Sequence, residues 1–440
     1  MLELEDIQYI ILTRAPALVG RYEFLTFRNP EGGKAWLAGI SERVQSVEKA
    51  RASLDKDNRW VSVGLTWNGL RALGIDEESL ATFPEEFKQG MVARSEILGD
   101  TGKNHPDNWR DDMANPNLHG IVIFFARDAG ERDRAKLEHQ KLVAQCKGVE
   151  IISGLDLDAT PPLEYSHDHF GYRDRLSEPA IEGSGVKPAQ ASSDIPLKAG
   201  EFILGYPDEA GPPSNLPQPD VLIRNGSYAA YRRLQEHVGA FREFLCQNGS
   251  TPEEQELIAA KLMGRWRSGA PLVLAPEKDD PELGGDPQRT NNFNYKEIDP
   301  HGYAAPLGSH IRRMNPRDTA ANMNRHRMVR RGGTYGPYLP SDAPEDGVER
   351  GIAAFVICAS LVRQFEFAQN VWVNDRNFHE LGNERDPIIG NQDGTLEFKI
   401  PNRPIRKKIT GLPAFTTLRG GAYFFLPGLN ALRYLASLRQ

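Results

Sequence analysis

The strongest constraint on the fold is the alternation of short strand-like and helix-like segments along the first third of the chain. Residues 120–126 (GIVIFFA) form a short apolar run between turn signals, which predicts a buried strand. Further strands are predicted at 7–13, 21–27, 60–66 and 149–153, and helices at 35–52, 67–73 and 131–146. Because these segments do not form a regular strand–helix–strand repeat, we expect an α+β fold.

A change in composition marks a domain boundary in this chain of 440 residues. Residues 153–220 are rich in Pro, Gly and Ser, which predicts long loops. We therefore expect one domain over 1–200 and a second over 201–440. The second should contain a helix over 251–266 with Thr251 as its N-cap and Glu254 in a capping box. Strands are also predicted at 351–360 and 422–426, and helical segments at 361–370 and 431–438.

The composition disfavours several classes of protein. The net charge of -7 and the pI near 5.9 predict no nucleic-acid partner. No run of 18 apolar residues is present, so no membrane span is expected. The three cysteines are widely spaced and form no CxxC pair, which argues against a disulfide framework or a cysteine zinc site. The N-terminus lacks a basic leader, and we expect a cytoplasmic protein whose oligomeric state stays open.

His310 differs from the other histidines because three arginines, Arg312, Arg313 and Arg317, follow it within seven residues. A haem needs one neutral imidazole on its iron and cations for its two propionates, and this segment offers both. The alternative is an ordinary surface histidine beside arginines.

Other candidate residues are uninformative when each is taken alone. Asp174 follows a glycine in HFGYRDRLSEP and is typical of a turn. Arg330 precedes two glycines in MVRRGGTYG, and Asp393 lies in GNQDGT, which also resembles a turn. His167 and His169 would share one face of a strand as two metal ligands, but no third ligand lies beside them. A nucleotide-binding enzyme is disfavoured because no G-x-G-x-x-G or P-loop follows a strand.

Taken together, these segments resemble the dye-decolorizing peroxidases along nearly the whole chain. No single segment is specific, but their combined order and spacing are. The length and added segments resemble the larger subgroup of the family. The matching segments are DIQYIIL, FPEEFKQGMVARSEILGD, FGYRDRLSEP, FILGYPDE, RNGSYAAYRRL, GRWRSGAPL, SHIRRMNPRD, HRMVRRGGTYGP, FEFAQNVWVN, DPIIGNQDG and LRGGAYFFLPGLNAL.

The resemblance implies two ferredoxin-like domains with antiparallel sheets and one haem b per chain in a cavity of the C-terminal domain. It also implies reduction of hydrogen peroxide with one-electron oxidation of phenols and dyes. His310 takes the place of the axial iron ligand, and Asp174 that of the distal aspartate in the G-x-x-D-G signature. Arg330 matches the distal arginine, and Asp393 the acidic residue that holds the proximal histidine. Arg313 is expected to bind a propionate.

One departure from the family pattern lies in the signature, where Arg175 replaces the last Gly and adds a cation that would depress the pKa of Asp174. Trp372, Tyr335 and Tyr338 are candidates for passing electrons from bulky dyes to a buried cofactor. Manganese oxidation stays open. The alternatives to a peroxidase are a haem carrier, which would not need Asp174 and Arg330 together, and a cofactor-free structural module on the same fold.

Overall fold

The computed structural model describes residues 1–17, 19–159, 161, 167–186, 195–214 and 216–438. The strands are β1 Val19–Phe27, β2 Arg59–Leu65, β3 Gly120–Ala126, β4 Val149–Asp158, β5 Ser227–Glu236, β6 Val329–Arg330, β7 Gly333–Tyr335, β8 Gly351–Cys358, β9 Glu397–Ile400, β10 Lys407–Thr410 and β11 Thr416–Leu426. The α-helices are α1 Tyr9–Leu12, α2 Pro30–Ser41, α3 Val47–Ala52, α4 Trp67–Ala72, α5 Glu77–Ala81, α6 Glu85–Ala93, α7 Ser95–Leu98, α8 Ala129–Gln145, α9 Asp220–Ile223, α10 Val238–Asn248, α11 Pro252–Met263, α12 Pro281–Gly285, α13 Tyr295–Ile298, α14 His310–Met314 and α15 Leu429–Ala436. Two π-helical segments, Leu361–Glu366 and Ala368–Asn374, follow β8.

The first four strands form one half of the main sheet in the order β4–β1–β3–β2, with every neighbouring pair antiparallel. Helices α2 and α8 are tied together by side chains that are fully buried: Trp36 Nε1 donates to His139 Nε2 at 2.9 Å. The imidazole proton therefore lies on Nδ1, which donates to Glu23 of β1 at 2.5 Å. This strand order with its two crossover helices is ferredoxin-like.

The other half of the sheet repeats that arrangement in the order β11–β5–β8–β6, and β7 also pairs with β8. Tyr231 of β5 is paired with Ala422 of β11 and with Phe355 of β8, in antiparallel register. The short strands β9 and β10 form a separate hairpin.

The two halves meet edge to edge where Leu65 of β2 pairs with Phe425 of β11. Aromatic side chains continue the core across the joint: the rings of Phe24 and Tyr231 lie 5.2 Å apart between centroids. The chain is therefore an α+β fold with two ferredoxin-like halves and antiparallel pairing, as the sequence predicted. The boundary between residues 200 and 201 stays a prediction.

Most local predictions in the first half are confirmed, and β3 matches its predicted bounds. The strand predicted at 7–13 is wrong, since α1 lies there. Gln8 fixes this segment, because its side-chain amide donates to the carbonyls of Val63 and Pro427. The helix predicted over 35–52 is two helices, and Ser46 caps the second by accepting a hydrogen bond from Lys49 N.

In the second half, α11 confirms the predicted helix, with Thr251 accepting from the backbone N–H of Glu254. The Glu254 carboxylate accepts from Ser250 N rather than from the cap residue itself. Strand β11 begins six residues before its predicted start, and β5 was not predicted as a strand. Parts of the predicted loop over 153–220 lie outside the described residues, namely 160, 162–166, 187–194 and 215.

Candidate functional site

Helix α14 begins at His310, and the C-terminal end of α11 approaches it closely. Gly264 ends α11 with φ +93°, a conformation that favours glycine. A Cβ at this position would lie 2.5 Å from Ile311 and 3.0 Å from the hydroxyl of Ser309. The glycine therefore allows α11 to pack directly against the residues on either side of His310.

The imidazole of His310 is held by a buried carboxylate. Its Nδ1 lies 2.8 Å from Oδ2 of Asp386, whose side chain is fully buried. The other oxygen of Asp386 accepts from the backbone N–H groups of Ile388 and Ile389, each at 2.9 Å. Burial alone would raise the pKa of Asp386, but its interaction with His310 and the backbone hydrogen bonds outweigh this effect, so the pKa is lowered. The ionised carboxylate thus accepts a hydrogen bond from Nδ1–H, and Nε2 makes no hydrogen bond with any described residue.

The prediction that Asp393 holds His310 is wrong. Asp393 is 45% exposed, and its carboxylate pairs with Arg376 at 3.2 Å and accepts from the backbone and hydroxyl of Thr395. Both aspartates lie in the segment DPIIGNQDG. The signal that separates them is the sequence after each one: Asp386 precedes Pro and two Ile, which are buried or half-buried, whereas Asp393 precedes Gly and Thr in an exposed turn.

The structure gives Arg313 partners other than a propionate, and its propionate role stays a prediction. Its side chain is fully buried, and its guanidinium donates to the backbone carbonyls of Gly308, Trp372, Asp375 and Glu384. These four acceptors occupy most of the five N–H groups of an arginine. Arg313 therefore connects α14 to the π-helical segment and to the loop that carries Asp386.

The predicted residues Asp174 and Arg330 lie beside each other in another part of the fold. Arg330 Nη1 lies 3.9 Å from Asp174 Oδ1, and the two side chains are 50% and 46% exposed. Asp174 nevertheless lies in a recess crowded by protein atoms, which by itself would raise its pKa. The positive charges of Arg330 and Arg14 outweigh this effect, and the pKa of Asp174 is lowered. The carboxylate is therefore an ionised proton acceptor at neutral and mildly acidic pH.

Arg175, the departure from the family signature, keeps the backbone conformation of a glycine, with φ +68°. Its guanidinium makes no ion pair with a described residue. The nearby Glu178 carboxylate is already shared by Arg14 at 3.1 Å and Arg331 at 2.7 Å. Positive charge is thus in excess around Asp174. Glu178, Arg14 and Arg331 were not predicted as site residues.

Asn291 connects the segment of Asp174 to the segment of His310. Its side-chain N–H donates to the carbonyl of Leu176, two residues after Asp174. Its Oδ1 accepts from Arg265 at 2.7 Å and from Arg317 at 3.4 Å, and Arg317 follows α14. The two groups of candidate residues therefore line one region of the fold.

The HxH pair does not form part of a metal-binding cluster among the described residues. His169 donates from Nε2 to the carbonyl of Tyr335 at 2.8 Å, and its ring is buried. Among the described residues, no group of three or more His, Cys, Asp and Glu side chains is arranged to hold a metal ion. In the same part of the chain, no helix has the length and apolar character needed to cross a membrane.

The three candidate aromatic residues have different surroundings. Trp372 is 4% exposed and packs edge-on against His326 and Phe367. Tyr335 is buried, with its hydroxyl donating to Glu349, whereas Tyr338 is 40% exposed. Only Tyr338 of the three offers a large accessible surface.

Comparison with known proteins agrees with this geometry. A family model described as the DyP dimeric alpha+beta barrel domain matches residues 6–151. The chain is 31% identical to Peroxidase 2 of Mycetinis scorodonius, over 99% of this chain and 88% of that protein. It is 30% identical to the dye-decolorizing peroxidase of Mycena epipterygia, over 86% and 76%.

A solved structure extends the similarity to three dimensions. The crystal structure of a fungal DyP-type peroxidase from Auricularia auricula-judae matches with a TM-score of 0.87 at 26% identity, over 99% of this chain and 100% of that one. Fold and site thus define an oxidoreductase of the peroxidase class. The chain belongs to the dye-decolorizing peroxidase family, which confirms the resemblance seen in the sequence.

Proposed function

We propose that this chain binds one haem b through His310, reduces hydrogen peroxide with Asp174 and Arg330 assisting the cleavage of the O–O bond, and oxidises phenolic compounds and dyes in one-electron steps. The observation that carries the proposal is the pair formed by His310 and Asp386. It fixes the imidazole with its proton on Nδ1 and leaves Nε2 available, which is the state in which histidine binds iron. The donor set therefore fits a haem.

On the ligand side, Asp386 makes the imidazole more electron-donating by accepting a hydrogen bond from its Nδ1–H. The two backbone N–H groups on the other oxygen of Asp386 keep the carboxylate from rotating. This arrangement favours a higher oxidation state of a bound iron.

On the substrate side, Asp174 and Arg330 divide the work of cleaving peroxide. The ionised Asp174 takes the proton from one peroxide oxygen and returns it to the other. Arg330 places a positive charge beside the oxygen that becomes negative. When bound, haem supplies the redox chemistry, since it accepts the two oxidising equivalents of peroxide and releases them one at a time to reductants.

The first test is an absorption spectrum of haem-reconstituted wild type and of His310→Ala, each before and after peroxide is added. We expect a Soret band in wild type that changes with peroxide and that is lost or shifted in the variant. His379→Ala is the matched control and should behave as wild type. Titration with haem should reach its end point at one haem per chain. A wild type that takes up no haem, or a spectrum indifferent to His310, would refute the proposal.

The second test addresses Asp174 and Arg330. Asp174→Asn and Arg330→Leu should retain the Soret band while kcat/KM for peroxide falls by about 10²- to 10⁴-fold, the usual contribution of a positioned proton-transfer group. If the protein only carried haem, neither substitution would change its haem binding or its reaction with peroxide. Unchanged peroxide kinetics in both would therefore leave only a haem-binding role.

We also propose that the protein works in the cytoplasm. Cys146, Cys246 and Cys358 are unpaired, and Cys246 is exposed. Exposed free thiols are typical of proteins kept in a reducing compartment. Fractionation of the source cells followed by immunodetection tests this, and recovery of the protein outside the cytoplasm would contradict it.

A further inference from the structure

A surface cleft of about 530 Å³ lies between the segment that leads into His310 and the β9–β10 hairpin. Its walls are largely apolar, with Leu307 and Leu381 on one side and Pro401, Pro404 and Ile405 on the other. Ile405 is 78% exposed and so presents apolar surface at the cleft. The volume lies within the range of about 300–1,000 Å³ that small-molecule sites occupy.

The charge around the cleft is positive, although the chain as a whole is acidic. The residues that line it include Lys399 and Arg406 and no carboxylate. Beside them, the guanidinium of Arg403 lies 5.0 Å from the ring centre of Tyr303, a further lining residue, and donates to its hydroxyl at 3.2 Å. An occupant with an aromatic ring and a negative charge would match both the walls and the rim.

The two lining cations are not equivalent. Lys399 Nζ is already satisfied, because it lies 2.9 Å from Glu397 and 3.4 Å from Glu384 and donates to the carbonyl of Leu381. Arg406 is exposed and forms no ion pair or hydrogen bond with a described residue. Arg406 is therefore the cation that can pair with an incoming anion.

The location of the cleft links it to the proposed haem ligand. The wall that contains Leu307 continues into His310 three residues later, and the wall that contains Leu381 continues through Glu384 to Asp386. Arg313 ties these walls together by donating to the carbonyls of Gly308 and Glu384. An occupant would thus lie against the two segments that supply the His310–Asp386 pair.

We propose that this cleft binds aromatic carboxylates that carry a phenol and that serve as reductants. Arg406 pairs with the carboxylate, and Tyr303 and Ile405 pack against the ring. The use of the occupant as a reductant rests on the proposed peroxidase function. Each bound phenol loses one electron and its hydroxyl proton to become a phenoxyl radical. Two such oxidations balance the reduction of one hydrogen peroxide to two waters.

The kinetic test compares ferulate with its uncharged methyl ester as reductants for the holoenzyme. Arg406→Gln should raise KM for ferulate by roughly two- to five-fold, as expected for one exposed ion pair, without changing kcat or KM for the ester. Arg406→Lys should recover most of the loss, and Lys141→Gln on α8 is the control for the removal of one positive charge. Equal changes for both reductants, or none, would overturn the proposal.

A binding test separates the cleft from the catalytic activity. Calorimetry with benzoate and the ferric holoenzyme, without peroxide, should show binding that weakens in Arg406→Gln but not in Lys141→Gln. Absence of benzoate binding, or binding indifferent to Arg406, would overturn the cleft assignment. If benzoate binds as expected but neither reductant is oxidised, the cleft stands as an anion site and the peroxidase proposal falls.

Discussion

The Asp386 carboxylate touches His310 with one oxygen and the backbone N–H groups of Ile388 and Ile389 with the other. The aspartate is therefore fixed by its own loop before it meets the histidine. Asp393, seven residues further along, makes the same kind of local turn but faces solvent and Arg376. The same substitution at Asp386 and at Asp393 therefore tests which aspartate acts on His310.

Asp386→Asn should weaken the electron donation of His310, because a neutral amide attracts the Nδ1 proton less strongly than a carboxylate. We expect the reduction potential of the haem iron to rise and kcat/KM for peroxide to fall by about 10- to 100-fold, the usual effect of losing such a partner. Spectroelectrochemistry and steady-state kinetics measure both quantities. Asp393→Asn should change neither, and equal effects of the two substitutions would contradict the assignment.

Arg175 should influence the acid limb of the pH–activity profile. Asp174 must be ionised to accept a proton, so activity falls as the pH drops through its pKa, which neighbouring cations hold low. Removing the charge of Arg175 should raise that pKa and move the acid limb to higher pH. The profile of kcat/KM for peroxide measures the shift.

Two substitutions at this position separate charge from backbone strain. Arg175→Gly and Arg175→Gln both remove the cation and should shift the profile equally. Only Gly relieves the positive φ, which costs a residue with a side chain roughly 1–2 kcal/mol, so only Arg175→Gly should also be more stable to denaturant. A pH shift seen with one variant alone would argue against an electrostatic cause.

Arg313 should act on folding rather than on the cofactor. Arg313→Gln leaves several buried carbonyls without donors, at about 1–3 kcal/mol each, so the free energy of unfolding of the haem-free protein should fall by about 3 kcal/mol or more. Denaturant titration of the apoprotein measures this. Arg376→Gln, which breaks an exposed ion pair with Asp393 and a long hydrogen bond to Asn383, should cost less than about 1 kcal/mol. An apoprotein unaffected by Arg313→Gln would favour the propionate role.

Of the candidate aromatic residues, we expect Tyr338 to receive electrons from bulky dyes, because it is 40% exposed whereas Trp372 is 4% exposed. Tyr338→Phe should slow the turnover of a bulky dye several-fold and spare small phenols. Trp372→Phe should show the same selectivity only if the electron continues inward through Trp372. Parallel measurements with one dye and one small phenol decide this, and equal loss for both substrates would exclude a relay.

The sequence predicted the fold where strands are regular and the site where a residue has a distinctive neighbourhood. GIVIFFA gave β3 with correct bounds, because a buried strand needs only a short apolar run. The apolar run in DIQYIIL has the same character but is helical, since Gln8 fixes it through contacts with residues distant in the chain. Such contacts are not visible in a local pattern.

The same limit applies to the site. His310, Asp174 and Arg330 were predicted from their segments, and the structure brings Asp174 and Arg330 together. The partner of His310 was misplaced by seven residues within the right segment, and Arg313 was assigned to a ligand although backbone carbonyls satisfy it. Which buried acceptor a side chain meets depends on tertiary packing, which the spacing of residues does not encode.

The position of β11 has a consequence for how the chain is made. This strand, Thr416–Leu426, is synthesised after every other described strand, yet it lies in the middle of the sheet between β2 and β5. Until it emerges from the ribosome, both of those strands keep an open edge with unpaired backbone groups, a template for pairing with other chains. Biosynthesis therefore leaves a long interval in which the nascent protein depends on chaperones or dilution to escape aggregation.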